Sequence, residues 1–123
     1  MITIKAVGKL DKDLKKISNE YSKRFKIQIE EVKELKLSKN YNIVCSEEGK
    51  QFTSEQFAKL IKEKENITFL IGDAFGIDEK IKKEANLILS LSKMTFPHKL
   101  FRIFLIEQIY RATTINKNLK YHK

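Results

Sequence analysis

The chain has 123 residues, 41% hydrophobic and 33% charged, with a formal net charge of +9 and a pI of about 9.6. That size and mix fit one soluble globular domain with a core of its own and exclude a disordered chain. The basic excess suits a polyanionic partner (RNA, DNA or an anionic membrane) without choosing among them.

"ITIKAVG" (2–8) alternates and ends at a glycine, the pattern of a first strand. In 11–25, Leu14, Ile17, Tyr21 and Phe25 recur at helical spacing among lysines, predicting an amphipathic helix with Asp11 as its cap. Residues 26–35 alternate again as a second strand, 38–40 form a loop, 41–46 a third strand and "EEGK" (47–50) a turn. A helix over 53–65 opens with a capping box, Thr53 and Gln56. The apolar run 66–72 reads as a buried strand, 78–85 as a short helix capped by Asp78, and 86–92 as the last strand. A final helix runs from about Pro97 or His98 to about Asn116. Strands alternating with helices predict a single α/β domain over 1–123 with a mostly parallel sheet.

The single cysteine, Cys45, excludes an internal disulfide and argues against a thiolate metal cluster. His98 and His122 stand far apart without an HExxH, so no metal site is expected. No apolar run approaches the ~20 residues of a membrane span, and "MITIKAVGKL" is too short and interrupted for a signal peptide. The expected location is cytoplasmic. "EGKQ" lacks the upstream glycine and the Ser/Thr of a P-loop, and there is no GxGxxG or GxSxG.

What remains is "IGDAFGI" (71–77) after one strand and "LSKMTFPH" (91–98) after the next. In an open α/β sheet, ligands bind beyond the carboxyl ends of the strands, where both loops belong. Gly72 and Gly76 allow backbone to approach a ligand closely, or serve only the geometry of tight turns. From His98 to Ala112 apolar side chains surround the whole circumference of the closing helix. Such a helix needs cover on both sides, from the sheet and a second subunit or from a core that encloses it. Glu107 and Arg111 stand at i, i+4 and can pair, whereas Arg102 has no carboxylate at that spacing.

"LSKMTFPHKLFRIFLIEQIYRA" and the closing "YHK" resemble the pattern LS-x-x-T-x-PH, L-x-R, EQ-x-YRA and YHR of the RlmH family, the ribosomal RNA large subunit methyltransferase H proteins. "IGDAFG" resembles that family's IGG-x-x-G, and the likeness runs essentially end to end. It implies a SPOUT-type α/β fold with a C-terminal trefoil knot, S-adenosylmethionine as cofactor, and a homodimer. The implied reaction is N3-methylation of a pseudouridine in 23S ribosomal RNA, within the large subunit or whole ribosome.

By position, the resemblance gives cofactor contacts to Cys45, Gly72 and Gly76, and to the loop Leu91, Ser92, Lys93, Met94, Thr95 and Phe96. It gives RNA contacts to Arg111, Tyr121, His122 and Lys123, with Arg111 the candidate cation beside the reacting base and His122 a candidate proton acceptor. Asp73 replaces the family's second glycine, Lys120 the proline before Tyr-His, and Lys123 an arginine. The segment Leu35 to Tyr41 is shorter than in many relatives. Two other readings are a SPOUT enzyme acting on another RNA, such as a transfer RNA, and a noncatalytic RNA-binding dimer with a degenerate cofactor site.

Overall fold

The computed structural model describes residues 1–122, so Lys123 lies outside the described residues. The alternating segments become β1 (Ile2–Val7), β2 (Ile27–Val32), β3 (Tyr41–Gln51), β4 (Ile67–Ile71) and β5 (Leu87–Ser90). They form one sheet in the order β2-β1-β4-β3-β5, every neighbouring pair parallel. Among the described residues three helices connect strands, α1 (Lys12–Ser22), α2 (Ser54–Glu63) and α3 (Glu79–Glu84), and α4 (His98–Asn116) follows β5.

β4 is central and all five of its residues are buried, which accounts for its unbroken apolar sequence. Its side chains alternate between two cores. Ile67, Phe69 and Ile71 meet Phe57 and Ala58 of α2 and Leu105, Ile106, Ile109 and Ala112 of α4, with Tyr21 and Phe25 packed alongside. Leu70 packs on the opposite face with Val44 and Leu35, beside Ile77 and Ile81. The sheet is thus covered by α1, α2 and α4 on one side and by α3 with the 33–37 segment on the other.

The expected capping box is present: Thr53 Oγ1 accepts the Gln56 N–H at 3.1 Å, and the Thr53 N–H donates to Gln56 Oε1 at 2.9 Å. Asp78 caps α3 through the Lys80 N–H at 2.9 Å. Asp11 differs from expectation. It stands at the start of α1, but its carboxylate makes no capping bond and lies 3.9 Å from Lys99 Nζ.

Residues 47–50 are not a turn between elements. β3 continues to Gln51 around a bulge in which Cys45 and Lys50 both register against Leu89, so residues 46–49 loop out of the ladder. Gly49 makes this possible, because a Cβ there would sit 2.5 Å from the Ile88 carbonyl oxygen.

α4 is enclosed on one side only. Leu105, Ile106, Ile109 and Ala112 seal the sheet, while Leu100 and Phe104 remain 38% and 43% exposed. Arg102, without a partner on its own helix, is 1% exposed. Its Nη1 donates to Glu31 Oε2 at 2.8 Å and its Nη2 to the Gly8 carbonyl at 3.0 Å, so α4 is tied to the carboxyl edge of β1 and β2. Glu31 also accepts the Leu10 N–H at 3.1 Å. Burial raises its carboxyl pKa, but the Leu10 N–H and Arg102 outweigh this and hold it below the usual carboxylate range.

Candidate active site

Because all strands run parallel, the segments leaving β3, β4 and β5 meet at one edge of the sheet. There the β3 bulge, the 71–77 loop and the 90–98 segment line a cavity of about 530 Å³. Cys45, Gly72, Gly76, Leu91, Ser92, Met94, Thr95 and Phe96 all line it; Lys93, on the same loop, does not.

Local bonds fix each wall. Asp73 Oδ1 accepts the Phe75 N–H at 2.9 Å, and the Asp73 carbonyl accepts the Gly76 N–H at 3.0 Å, closing a tight turn. Gly72 is required by that turn itself: a Cβ there would lie 2.7 Å from both the Gly76 carbonyl oxygen and Ile77 Cγ1. In the opposite wall the Ser90 hydroxyl donates to the Ser92 carbonyl at 2.8 Å, and the Ser92 hydroxyl accepts the Met94 N–H at 3.0 Å. The Thr95 hydroxyl donates to Glu47 Oε2 at 2.6 Å, binding this loop to the β3 bulge. Desolvation raises the Cys45 thiol well above its ordinary pKa, so it stays protonated and serves as a small apolar wall.

Glu47 and Lys82 are lining residues that the sequence analysis did not single out. Helical spacing could have pointed to Lys82, which sits 2.8 Å from Glu48 and 3.5 Å from Glu79. Nothing in the sequence marked Glu47, because only the bulge turns it toward the cavity.

The expected RNA contacts gather elsewhere, around Glu107. Arg111 Nη2 and the Tyr121 hydroxyl each donate to Glu107 Oε2 at 2.8 Å. Arg111 Nη1 lies 3.0 Å from His122 Nδ1. Guanidinium can only donate, so Nδ1 accepts and the ring proton belongs on Nε2, which faces Glu55 at 3.4 Å. Both ring nitrogens of His122 are therefore engaged. Tyr121 packs edge-on against Tyr110 with ring centroids 4.7 Å apart, and the guanidinium of Arg111 stands 5.0 Å over the Tyr121 ring. The neighbouring Tyr21 hydroxyl, burial and the Glu107 carboxylate together push the Tyr121 phenol upward, and Glu107 raises Arg111 further. Arg111, Tyr121 and His122 do not line the first cavity. Glu107 lines a second one of about 490 Å³, on the far side of Leu91 and Phe96, which both cavities share.

Among the described residues no group of three His, Cys, Asp or Glu is placed to hold a metal ion, and no helix is long and apolar enough to cross a membrane.

An all-parallel sheet with three loops enclosing a cavity at its carboxyl edge defines an α/β protein of the ligand-binding kind. The family described as "Predicted SPOUT methyltransferase" matches residues 26–122, and the chain belongs to that SPOUT methyltransferase family. It is 43% identical over 145 residues to the ribosomal RNA large subunit methyltransferase H of Mycoplasmopsis synoviae (strain 53), the match covering 99% of both chains. It is 47% identical over 131 residues to the protein of the same name from Prochlorococcus marinus (strain MIT 9312), covering 99% of this chain and 95% of that one. Among solved structures, a probable methylase family protein from Haemophilus influenzae Rd KW20 superposes with a TM-score of 0.68 at 10% identity, over 99% of this chain and 70% of that one. The tRNA (m1G37) methyltransferase of Aquifex aeolicus does so with a TM-score of 0.59 at 12% identity, over 89% and 69%. At such identities these two likenesses concern the fold alone.

Proposed function

We propose that this chain is an S-adenosylmethionine-dependent methyltransferase that modifies N3 of a pseudouridine in 23S ribosomal RNA. It acts on the assembled ribosome, in the cytoplasm and as a homodimer, with the trefoil knot of its family in the segments that hold the cofactor. The observation that carries this is the convergence of the 45–47, 71–77 and 90–98 segments on one cavity, in a chain related end to end to ribosomal RNA large subunit methyltransferases H.

The cavity suits the cofactor. Its volume falls in the range of about 300–1,000 Å³ usual for small-molecule sites. Its walls combine apolar surface from Leu91, Phe96 and Ile71 with the loop backbone of 72–76 and 91–96, suited to the edge of a heterocycle. When bound, the cofactor supplies an electrophilic methyl group on a sulfonium.

The chain's own residues then align and exclude. Gly72, Gly76 and the 91–96 loop would hold the cofactor and restrict its freedom relative to the incoming base. The imide nitrogen of the base must lose its proton, and negative charge then grows on the flanking oxygens. Arg111, fixed by Glu107, is the cation offered to that charge. With both ring nitrogens of His122 engaged, the proton passes to water in this arrangement. Tyr121 and His122 supply aromatic faces and edges for the RNA.

The half-exposed Leu100 and Phe104 of α4 are the surface proposed for the second subunit. Ile106 is fully buried in the subunit core, so Phe104→Asp, rather than a change at Ile106, is the substitution that probes the dimer. Since Arg111, Tyr121 and His122 lie apart from the first cavity of their own subunit, the complete site draws its tail from one subunit and its cofactor loops from the other.

Two measurements test this. Calorimetry should register binding of S-adenosylmethionine and of its demethylated product, and both should raise the melting temperature; no heat and no shift at millimolar ligand would remove the cofactor from the account. Deleting residues 119–123 should leave fold and cofactor binding nearly intact, since the tail contributes little to the core. Methyl transfer should fall at least ~10-fold, about 1.4 kcal/mol of transition-state stabilisation. Full activity of the truncated protein would exclude the tail from the site.

A further inference from the structure

We infer that Glu47 sets the cavity's preference for a cationic over a neutral occupant, and so separates the methyl donor from the spent product. This rests on the cofactor assignment above.

The chain carries +9, yet the cavity at the carboxyl edge of the sheet is lined by the carboxylates of Glu47 and Asp73 against one amine, Lys82. Lys82 is already matched, at 2.8 Å by Glu48 and 3.5 Å by Glu79. One oxygen of Asp73 is turned to the Phe75 N–H of its own loop. Glu47 likewise has a neutral partner, the Thr95 hydroxyl at 2.6 Å, but unlike Asp73 it is bound to a different loop of the cavity wall rather than to its own. Among the described residues no cationic side chain lies within 4.0 Å of it.

Its position is not accidental. Gly49 lets residues 46–49 bulge from the ladder against Ile88, and the bulge delivers Glu47 to the cavity lining. The bond to Thr95 then anchors the carboxylate to the 91–96 loop.

The methyl donor bears a positive sulfonium. After transfer the sulfur is a neutral thioether in a molecule of otherwise nearly the same shape. Contacts of shape and hydrogen bonding therefore cancel in a comparison of the two ligands, and a nearby negative charge does not. Glu47 is solvent-exposed, so screening keeps the effect modest. A shift of about fivefold in relative affinity is expected, equivalent to about 1 kcal/mol. The loss of this attraction when the methyl group leaves favours release of the product.

The test is calorimetry of the intact protein with S-adenosylmethionine and, separately, with its demethylated product. Glu47→Gln keeps an oxygen to accept the Thr95 hydroxyl but removes the charge. It should lower the donor-to-product affinity ratio about fivefold, almost wholly through the donor. Glu47→Asp keeps the charge and should keep most of the ratio. Thr95→Val breaks the tether while leaving the carboxylate, and should move both affinities together. An unchanged ratio in Glu47→Gln overturns the inference, as does an equal shift of ratio in Thr95→Val. If the unaltered protein binds neither ligand, the cofactor assignment itself fails, a result distinct from binding both with the ratio indifferent to Glu47.

Discussion

Gly72→Val is expected to abolish cofactor binding, and with it methyl transfer, while the protein stays folded. The reason is internal to the loop. A Cβ at this position would lie 2.7 Å from the Gly76 carbonyl oxygen and from Ile77 Cγ1, so the Asp73–Gly76 turn cannot close around it. That turn is one wall of the cavity. Gly72→Ala, which adds the Cβ alone, should weaken binding at least ~10-fold, about 1.4 kcal/mol, and the branched side chain should go further. Calorimetry reads the affinity, and circular dichroism checks that β4 and the core beneath the loop persist. Ordinary affinity in the valine variant would mean that the 72–77 loop does not form the cofactor wall.

Arg102→Ala is expected to cost about 3 kcal/mol of folding stability, toward the low end for breaking a buried pair because Glu31 still reaches water. Arg102 is 1% exposed, and its loss leaves the Gly8 carbonyl without the guanidinium and the Glu31 carboxylate with the Leu10 N–H but no cation. Urea unfolding followed by circular dichroism measures the change; a loss below about 1 kcal/mol would show that water replaces the guanidinium readily. The same pair predicts a pH dependence. The Glu31 carboxyl titrates below its unfolded value, so its contribution is fully present at neutral pH and is lost as pH falls below the usual carboxylate range. Glu31→Gln should flatten that acid limb of stability relative to the unaltered chain.

The sequence made the local elements plain and the distant pairings invisible. Alternation placed β1 and β2, the unbroken apolar run marked β4 as buried, and the Thr53–Gln56 box located α2. These features are legible because they depend on residues a few positions apart. The cavity loops were legible too, since a parallel sheet brings the ends of successive strands to one edge. Arg102 shows the limit. The helical spacing rule finds partners one turn away, and its partner Glu31 stands 71 residues away, brought near only by the sheet order. Glu47 was not legible because "EEGK" has the same pattern in a hairpin turn and in a bulge; the choice depends on Gly49 pressing against Ile88 of a strand distant in sequence. The tail shows the limit differently: no local spacing reveals that Tyr121 and His122 dock on Glu107 and Arg111 of α4.

On the proposed function, the cavity alone does not complete the chemistry. The proposed cofactor loops line the cavity at the carboxyl edge of β3, β4 and β5, and Arg111, Tyr121 and His122 do not line it. A base must be presented to both, and a large, ordered RNA assembly can hold it there at little further entropic cost.

The most direct measurement offers S-adenosylmethionine with a labelled methyl group to the protein together with ribosomes lacking the modification, free ribosomal RNA or transfer RNA. The RNA is then digested to nucleosides and the labelled one identified by mass. The account predicts label on the ribosomes, confined to 23S RNA and recovered as a pseudouridine methylated at N3, with far less on either free RNA. Label recovered chiefly from transfer RNA, or none at all from a protein that binds the cofactor, would contradict it.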